Sequence, residues 1–123
     1  MSASQAIVII DDDAWMSERL AARLKKAGFR VDCAADGLEG MALIDRLHPS
    51  AIVLDIFMPG PNGIVLLHEL RSHSDLGAIP IIVCTASASD IPKGSLDMYG
   101  VRTVLDKVTM DADDVLAAVR SVV

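Results

Sequence analysis

Several apolar runs in this sequence end in polar residues whose types could act together in one site. They end in three successive aspartates at 11–13, in Asp55, in Thr85 and in Asp106-Lys107. Clustered carboxylates repel one another, and some must bind protons unless a cation neutralises them. Carboxylates next to a hydroxyl and an ammonium group are typical of a site for a hard cation and a phosphoryl group.

Apolar and amphipathic segments alternate along the chain, and this alternation predicts strands alternating with helices. The predicted strands are 6–10, 29–34, 51–55, 80–86 and 103–106. The predicted helices are 14–27, 36–47, 63–71, 88–99 and 111–122, with Pro92 and Gly94 unfavourable inside the fourth. A turn containing Pro59, Gly60 and Pro61 is expected before the third helix.

This order of elements predicts an α/β fold. Runs 6–10, 51–55 and 80–86 are almost uniformly apolar, as central parallel strands are, whereas 29–34 alternates and 103–106 is short. Right-handed crossovers then give a parallel five-stranded sheet of order 2-1-3-4-5, a flavodoxin-like, doubly wound (βα)5 three-layer sandwich. The carboxyl ends of its strands gather the polar residues at one edge, beside the point where the winding reverses.

The composition fits one compact domain of a soluble protein. The chain has 123 residues, of which 52% are hydrophobic and 23% charged, and a single domain spanning 1–123 without an effector domain is expected. A formal net charge of −6 argues against direct binding of nucleic acid. Neither a secretory leader nor a membrane span is evident. We expect Cys33 and Cys84 to be buried and reduced, and the protein to be cytoplasmic.

The clustered residues predict a site for phosphoryl transfer. Mg²⁺ is the natural cation for Asp12 and Asp55, because it prefers oxygen ligands and binds through one or two carboxylates plus water and phosphate oxygens. Thr85 could donate a hydrogen bond to a phosphoryl oxygen, and Lys107 could neutralise another. Asp55 would then be the nucleophile.

The chain resembles the receiver domains of two-component response regulators over about residues 6–122. The matching features are the acidic pair Asp11-Asp12, the segment D-x-x-M-P-G from Asp55 to Gly60 with Asn62-Gly63 behind it, Thr85-Ala86, and Lys107. A single one of these motifs would be a weak sign. Together they occur in the family's order, at the ends of the corresponding strands.

The resemblance implies a role for each matching residue. Asp55 would accept a phosphoryl group, and Asp12 and Asp55 would bind Mg²⁺ with the backbone carbonyl of Phe57. Asp11 would hold a metal-bound water, while Thr85 and Lys107 would contact the phosphoryl group. Through Asp55, Thr85 and Lys107 the domain would catalyse only its own phosphorylation and dephosphorylation, so it would not be a true enzyme.

The resemblance also implies partners. The phosphoryl donor would be a sensor histidine kinase or a histidine phosphotransfer protein, and acetyl phosphate would serve as a slow substitute. A downstream protein would bind the face formed by the fourth helix, the fifth strand and the fifth helix. Neither nucleic acid nor a membrane is expected as a direct partner.

Three departures from the family pattern concern the signalling side. Val108 follows Lys107 where the family usually has proline, often after a cis bond, so a trans bond and a differently shaped loop are expected. Val104 occupies a position where the family commonly has Tyr or Phe, whose ring swings inward when the threonine moves. Pro92 and Gly94 should make the fourth helix short, late or mobile.

Two other functions fit parts of the sequence. A pseudo-receiver, an interaction module that is not phosphorylated, would explain the altered switch positions. A phosphatase of the haloacid-dehalogenase kind would use D-x-D at 11–13, but Trp15 stands where its pattern needs threonine or valine. Flavodoxin-type carriers need a Ser/Thr/Gly-rich phosphate loop, where this chain has three aspartates.

Overall fold

A computed structural model of the chain describes residues 5–58 and 63–123. The strands in these ranges are β1 (Ala6–Ile10), β2 (Arg30–Ala34), β3 (Ala51–Leu54), β4 (Ile81–Thr85) and β5 (Val101–Asp106). The α-helices are α1 (Ala14–Lys26), α2 (Gly37–Leu47), α3 (Gly63–Ser72) and α4 (Ala112–Val122). The predicted turn at Pro59, Gly60 and Pro61 lies outside the described residues.

The sheet is parallel throughout, with the strand order β2-β1-β3-β4-β5, and the predicted topology is confirmed. Ile10 lies opposite both Ala34 and Leu54, so β1, β2 and β3 end at the same level. Thr85 lies opposite Asp106 at the end of β5. This register brings the polar residues that follow the strands to one edge of the sheet.

Amphipathic helices cover both faces of the sheet. Residues of α1 and α4 such as Leu24 and Val119 pack with Ile9 and Val53 on one face. On the other face, residues of α2 and α3 pack with the alternate side chains of the same strands, among them Val8, Ile10, Ile52, Leu54 and Val83. Because both faces are covered, the central strands are apolar at successive positions and polar only where they end.

Aspartates set the first residues of three helices. The Asp13 carboxylate accepts the Met16 N–H at 3.1 Å and caps α1, and Asp36 caps α2 in the same way. Asp111 and Asp114 form a reciprocal capping box at α4. Asp13, the third of the successive aspartates, therefore has a structural role at the start of α1.

The predicted helix at 88–99 is wrong. The segment forms two 3₁₀ turns, Ala88–Asp90 and Asp97–Tyr99, separated by a bend and a hydrogen-bonded turn. Pro92 has no N–H to donate in a helix, and Gly94 has a positive φ of +80° that leaves the helical region. A cavity of about 490 Å³ is lined by residues of this segment and of β5.

The prediction that both cysteines are buried is right for Cys84 and wrong for Cys33. Cys33 lies near the carboxyl end of the edge strand β2, and its thiol is 4.0 Å from the Ser17 carbonyl oxygen in the first turn of α1. In the described ranges no helix is both long enough and apolar enough to cross a bilayer.

Candidate functional site

The first two carboxylates of the site are placed by the ladder of the sheet. The Asp11 N–H donates to the Ala34 carbonyl at 3.0 Å, and the Asp55 N–H donates to the Ile10 carbonyl at 2.9 Å. These bonds extend the pairing one residue beyond the ends of β1 and β3. Asp11 and Asp55 are only 5% and 7% exposed, so two adjacent carboxylates are buried at this edge.

Lys107 lies between these two carboxylates. Its Nζ is 2.5 Å from Oδ2 of Asp11 and 2.9 Å from Oδ2 of Asp55, and its side chain is 13% exposed. Its backbone N–H donates to the Thr85 carbonyl at 3.0 Å, which fixes the start of the loop after β5. The sequence predicted that Lys107 reaches this site, but it did not predict the bond to Asp11.

Burial and hydrogen bonding shift the pKa values of Asp11 and Lys107. Burial raises the pKa of Asp11, although the hydrogen bond from Lys107 opposes this effect. Burial alone would lower the pKa of Lys107, but its hydrogen bonds to Asp11 and Asp55 outweigh it, so the pKa lies above the ordinary value. Lys107 therefore stays cationic at neutral pH and can serve as a fixed positive charge.

Asp12 completes a group of oxygens that suits a divalent cation. Carboxylate oxygens of Asp11, Asp12 and Asp55 lie within 4.8 Å of one another, and Asp12 is exposed while the other two are buried. Three carboxylates face one ammonium group, so two formal negative charges remain uncompensated. The hard oxygen donors and this residual charge fit Mg²⁺.

Thr85 and Phe57 border the acidic group. Thr85 is fully buried, and its Oγ1 accepts the Ser87 N–H at 3.2 Å, which leaves its own O–H proton to donate elsewhere. The Phe57 N–H donates to Oδ1 of Asp55 at 3.0 Å, while the Phe57 side chain is 51% exposed. Each oxygen of the Asp55 carboxylate thus has a hydrogen-bond donor.

Asp106 shapes the loop that carries Lys107. Its position at a strand end was evident from the sequence, but a role in the site was not. Its carboxylate accepts the Val108 N–H at 2.8 Å, two residues further on. The only sequence signal for this contact is an aspartate two residues before an exposed non-proline position, a pattern typical of an Asx turn. The peptide bond between Lys107 and Val108 is trans, as expected.

Residues 7–120 match the family model for the response regulator receiver domain. The chain belongs to this family. It is accordingly a receiver domain of a two-component response regulator, and such receivers are regulatory domains rather than conventional enzymes.

Two curated relatives are transcriptional regulators. The chain is 34% identical over 115 residues to the DNA-binding dual master transcriptional regulator RpaA of Synechocystis, a match that covers 94% of the chain and 47% of RpaA. It is 42% identical over 82 residues to the probable transcriptional regulator ycf27 of Porphyridium aerugineum, covering 67% of the chain and 33% of that relative. The chain thus matches a third to about half of each relative's length.

Solved receiver structures superimpose over nearly the whole chain. The chemotaxis response regulator CheY4 of Vibrio cholerae matches with a TM-score of 0.87 at 24% identity, over 98% of this chain and all of that one. A putative response regulator from Chloroflexus aurantiacus matches with a TM-score of 0.81 at 27% identity, over 98% of each chain. The predicted flavodoxin-like receiver fold is confirmed.

Proposed function

We propose that the chain is a phosphoacceptor switch in which Asp55 takes a phosphoryl group from the phosphohistidine of a partner. The partner would be a sensor histidine kinase or a histidine phosphotransfer protein. The observation that carries the proposal is the Asp55 carboxylate, which is buried, held at both oxygens by Phe57 N–H and Lys107, and adjacent to Asp11 and Asp12. An oriented carboxylate with nearby charge is what in-line phosphoryl transfer requires.

In the proposed reaction an Asp55 oxygen attacks the phosphorus atom. The new O–P bond forms as the P–N bond to the donor histidine breaks, and the imidazole leaves with the electron pair of that bond. With acetyl phosphate as donor, a P–O bond breaks and acetate leaves. The Phe57 N–H holds the Asp55 carboxylate in one orientation, which reduces the entropy that the carboxylate must lose to attack.

The acidic group fits a Mg²⁺ ion. Asp12 and Asp55, the backbone carbonyl of Phe57, and Asp11 through a water would hold it. Bound there, the ion would supply positive charge for the phosphoryl oxygens. A solved relative, the response regulator TrrA of Thermotoga maritima, was crystallised in complex with Mg²⁺-BeF, and it matches this chain with a TM-score of 0.81 at 24% identity.

Thr85 and Lys107 would recognise the transferred group. The Thr85 hydroxyl keeps a free proton to donate, but the residue is fully buried and has to turn toward the phosphoryl oxygen. The Lys107 ammonium would exchange its bond to Asp55 for one to a phosphoryl oxygen. Hydrolysis by water then breaks the O–P bond, returns the Asp55 carboxylate and releases inorganic phosphate.

Output would occur through protein contacts at the face formed by segment 88–100, β5 and α4. Val104 is 37% exposed on this face and carries no aromatic ring. The net charge of −6 favours a protein partner over direct contact of this domain with nucleic acid. We place the switch in the cytoplasm, where ATP-dependent kinases supply phosphohistidine.

The test is intact-mass measurement after incubation with acetyl phosphate and Mg²⁺. We expect the wild type to gain one phosphoryl group, and Asp55→Asn or wild type in EDTA to gain none. Addition of hydroxylamine should remove the group, since an acyl phosphate reacts with this nucleophile. Absence of any mass gain would overturn the proposal in favour of a pseudo-receiver, and steady turnover of a phosphate ester would favour a phosphatase.

A further inference from the structure

The middle of the loop after β5 has exposed side chains. Val108 is 77% exposed, and Thr109 is exposed as well. Nevertheless the residue between this loop and the strand, Lys107, carries an ammonium group that lies between two buried carboxylates. Met110 packs against the core at the end of the loop, so the backbone between Lys107 and Met110 must be fixed by hydrogen bonds.

Those bonds converge on Asp106. Its side-chain Oδ1 accepts the Val108 N–H at 2.8 Å, and its carbonyl accepts the N–H groups of Met110 at 2.8 Å and Thr109 at 3.2 Å. One residue thus accepts three successive backbone N–H groups. Only the bond to Val108 depends on the side chain, and it closes an Asx turn around Lys107.

Lys107 is the residue enclosed by this turn. On the strand side its own N–H donates to the Thr85 carbonyl at 3.0 Å, and on the loop side the Asp106–Val108 bond brings the chain back toward β5. Loss of the side-chain bond would free the Lys107–Val108 peptide to rotate, and the Lys107 side chain would move with it. The position of the ammonium group is coupled to the Asp106 carboxylate oxygen in this way.

We infer that Asp106 is a positioning residue, whose Oδ1 holds the Val108 N–H and thereby keeps the Lys107 ammonium group between Asp11 and Asp55. The inference rests on the proposed function only for its catalytic consequence, since the placement of Lys107 can be measured without phosphorylation. It requires an acceptor oxygen at residue 106 and not its negative charge. Asparagine has such an oxygen and alanine does not, so these two variants separate the hydrogen bond from the charge.

The experiment measures the acetylation rate of Lys107 by an N-hydroxysuccinimide ester, relative to exposed Lys93 in the same molecule, using peptide mass spectrometry in EDTA. We expect Asp106→Ala to raise the relative rate about fivefold, the factor that corresponds to one hydrogen bond of ordinary net strength. Asp106→Asn should remain at the wild-type rate. Val108→Ala, which keeps the N–H and removes only exposed methyl groups, is the matched control and should also be unchanged.

Three outcomes would overturn the inference: wild-type labelling in Asp106→Ala, raised labelling in Asp106→Asn, or raised labelling in Val108→Ala. If Asp106→Ala fails to fold, Asp106→Leu, which is of similar size and also lacks an acceptor oxygen, takes its place and should show the same rise; wild-type labelling in it would refute the inference. Phosphorylation by acetyl phosphate should follow the same order, slower in Asp106→Ala and normal in Asp106→Asn. A wild type that is never phosphorylated would refute the proposed function and leave the labelling result to decide on Asp106.

Discussion

The Nζ of Lys107 lies 2.9 Å from Oδ2 of Asp55, the carboxylate that we propose as the phosphoacceptor. The same ammonium group is 2.5 Å from Oδ2 of Asp11. Lys107 and a divalent cation are therefore drawn to the same oxygens. The lysine has two functions in this arrangement: it neutralises the buried carboxylates, and it is already next to the position where phosphoryl oxygens would arrive.

Removal of Lys107 should affect binding of Mg²⁺ and phosphorylation in opposite directions. We expect Lys107→Ala to bind Mg²⁺ about tenfold more tightly, because a competing positive charge is lost at a partly buried site. Phosphorylation by acetyl phosphate should be slower, since the charge that neutralises phosphoryl oxygens is absent. Calorimetric titration and intact-mass kinetics measure the two effects.

Lys93→Ala removes an exposed lysine from segment 88–100 and is the control for net charge. It should leave both quantities near the wild-type values. Weaker binding of Mg²⁺ in Lys107→Ala would show that the ammonium group organises the carboxylates more than it competes for them.

The raised pKa of Asp11 predicts a pH-dependent stability. Between its ordinary value of 3.8 and the raised value, the folded protein retains a proton that the unfolded chain has released. The contribution of Asp11 to the free energy of unfolding must therefore fall as pH rises through that window. We expect Asp11→Asn, which cannot titrate, to flatten this part of the curve in urea unfolding in EDTA.

Asp45→Asn, at an exposed position of α2, serves as the control and should keep the wild-type slope. Parallel curves for the wild type and Asp11→Asn would mean that burial does not penalise the Asp11 carboxylate.

Phe57 should prolong the phosphorylated state. Its side chain is 51% exposed beside Asp55, where a bulky apolar group can hinder an attacking water, while its contact to the Asp55 carboxylate is made by the backbone. We expect Phe57→Asn to keep the acceptor orientation and to lose the phosphoryl group about tenfold faster, because water reaches the phosphorus atom more easily. Decay of the phosphorylated mass after removal of acetyl phosphate measures this rate.

Leu38→Asn replaces an 83% exposed leucine on α2 and should decay at the wild-type rate. A Phe57→Asn protein that decays at an equal or slower rate would rule out the shielding role.

The two cysteines should react with thiol reagents at very different rates. Burial raises the pKa of Cys84 to about 12, and the residue is 1% exposed, so about one in ten thousand of its thiols is ionised at pH 8. Cys33 is exposed, although partial burial also raises its pKa. We expect one rapid labelling phase that disappears in Cys33→Ser, and rapid labelling that persists in this variant would contradict the placement of Cys84.

The sheet could be predicted from the sequence because each strand carried its own signal. Three uniformly apolar runs marked the central strands, and alternation in 29–34 marked an edge. The predicted helix at 88–99 was wrong because two residues outweighed the apolar periodicity of that segment. Pro92 has no N–H to donate, and Gly94 has a positive φ. Cys33 was misplaced because a strand pattern shows which face a side chain points to, but not how far the covering helix extends.

The members of the candidate site could be predicted because each follows the end of a strand, and parallel strands bring their carboxyl ends together. The pairing of Lys107 with Asp11 could not be predicted in this way, since it depends on the path of the loop after β5. That path is set by Asp106, whose contact with Val108 is a matter of local geometry with a weak sequence signal. The roles of the site residues in phosphoryl transfer stay predictions until the chemistry is measured.

The most direct measurement maps the modified residue itself. The protein is incubated with acetyl phosphate and Mg²⁺ and then reduced with borohydride, which converts an aspartyl phosphate into homoserine, and its peptides are sequenced by mass spectrometry. We expect homoserine at position 55 and unmodified aspartate at positions 11 and 12. Homoserine at another aspartate, or at none in a protein that binds Mg²⁺, would contradict the assignment of Asp55 as the phosphoacceptor.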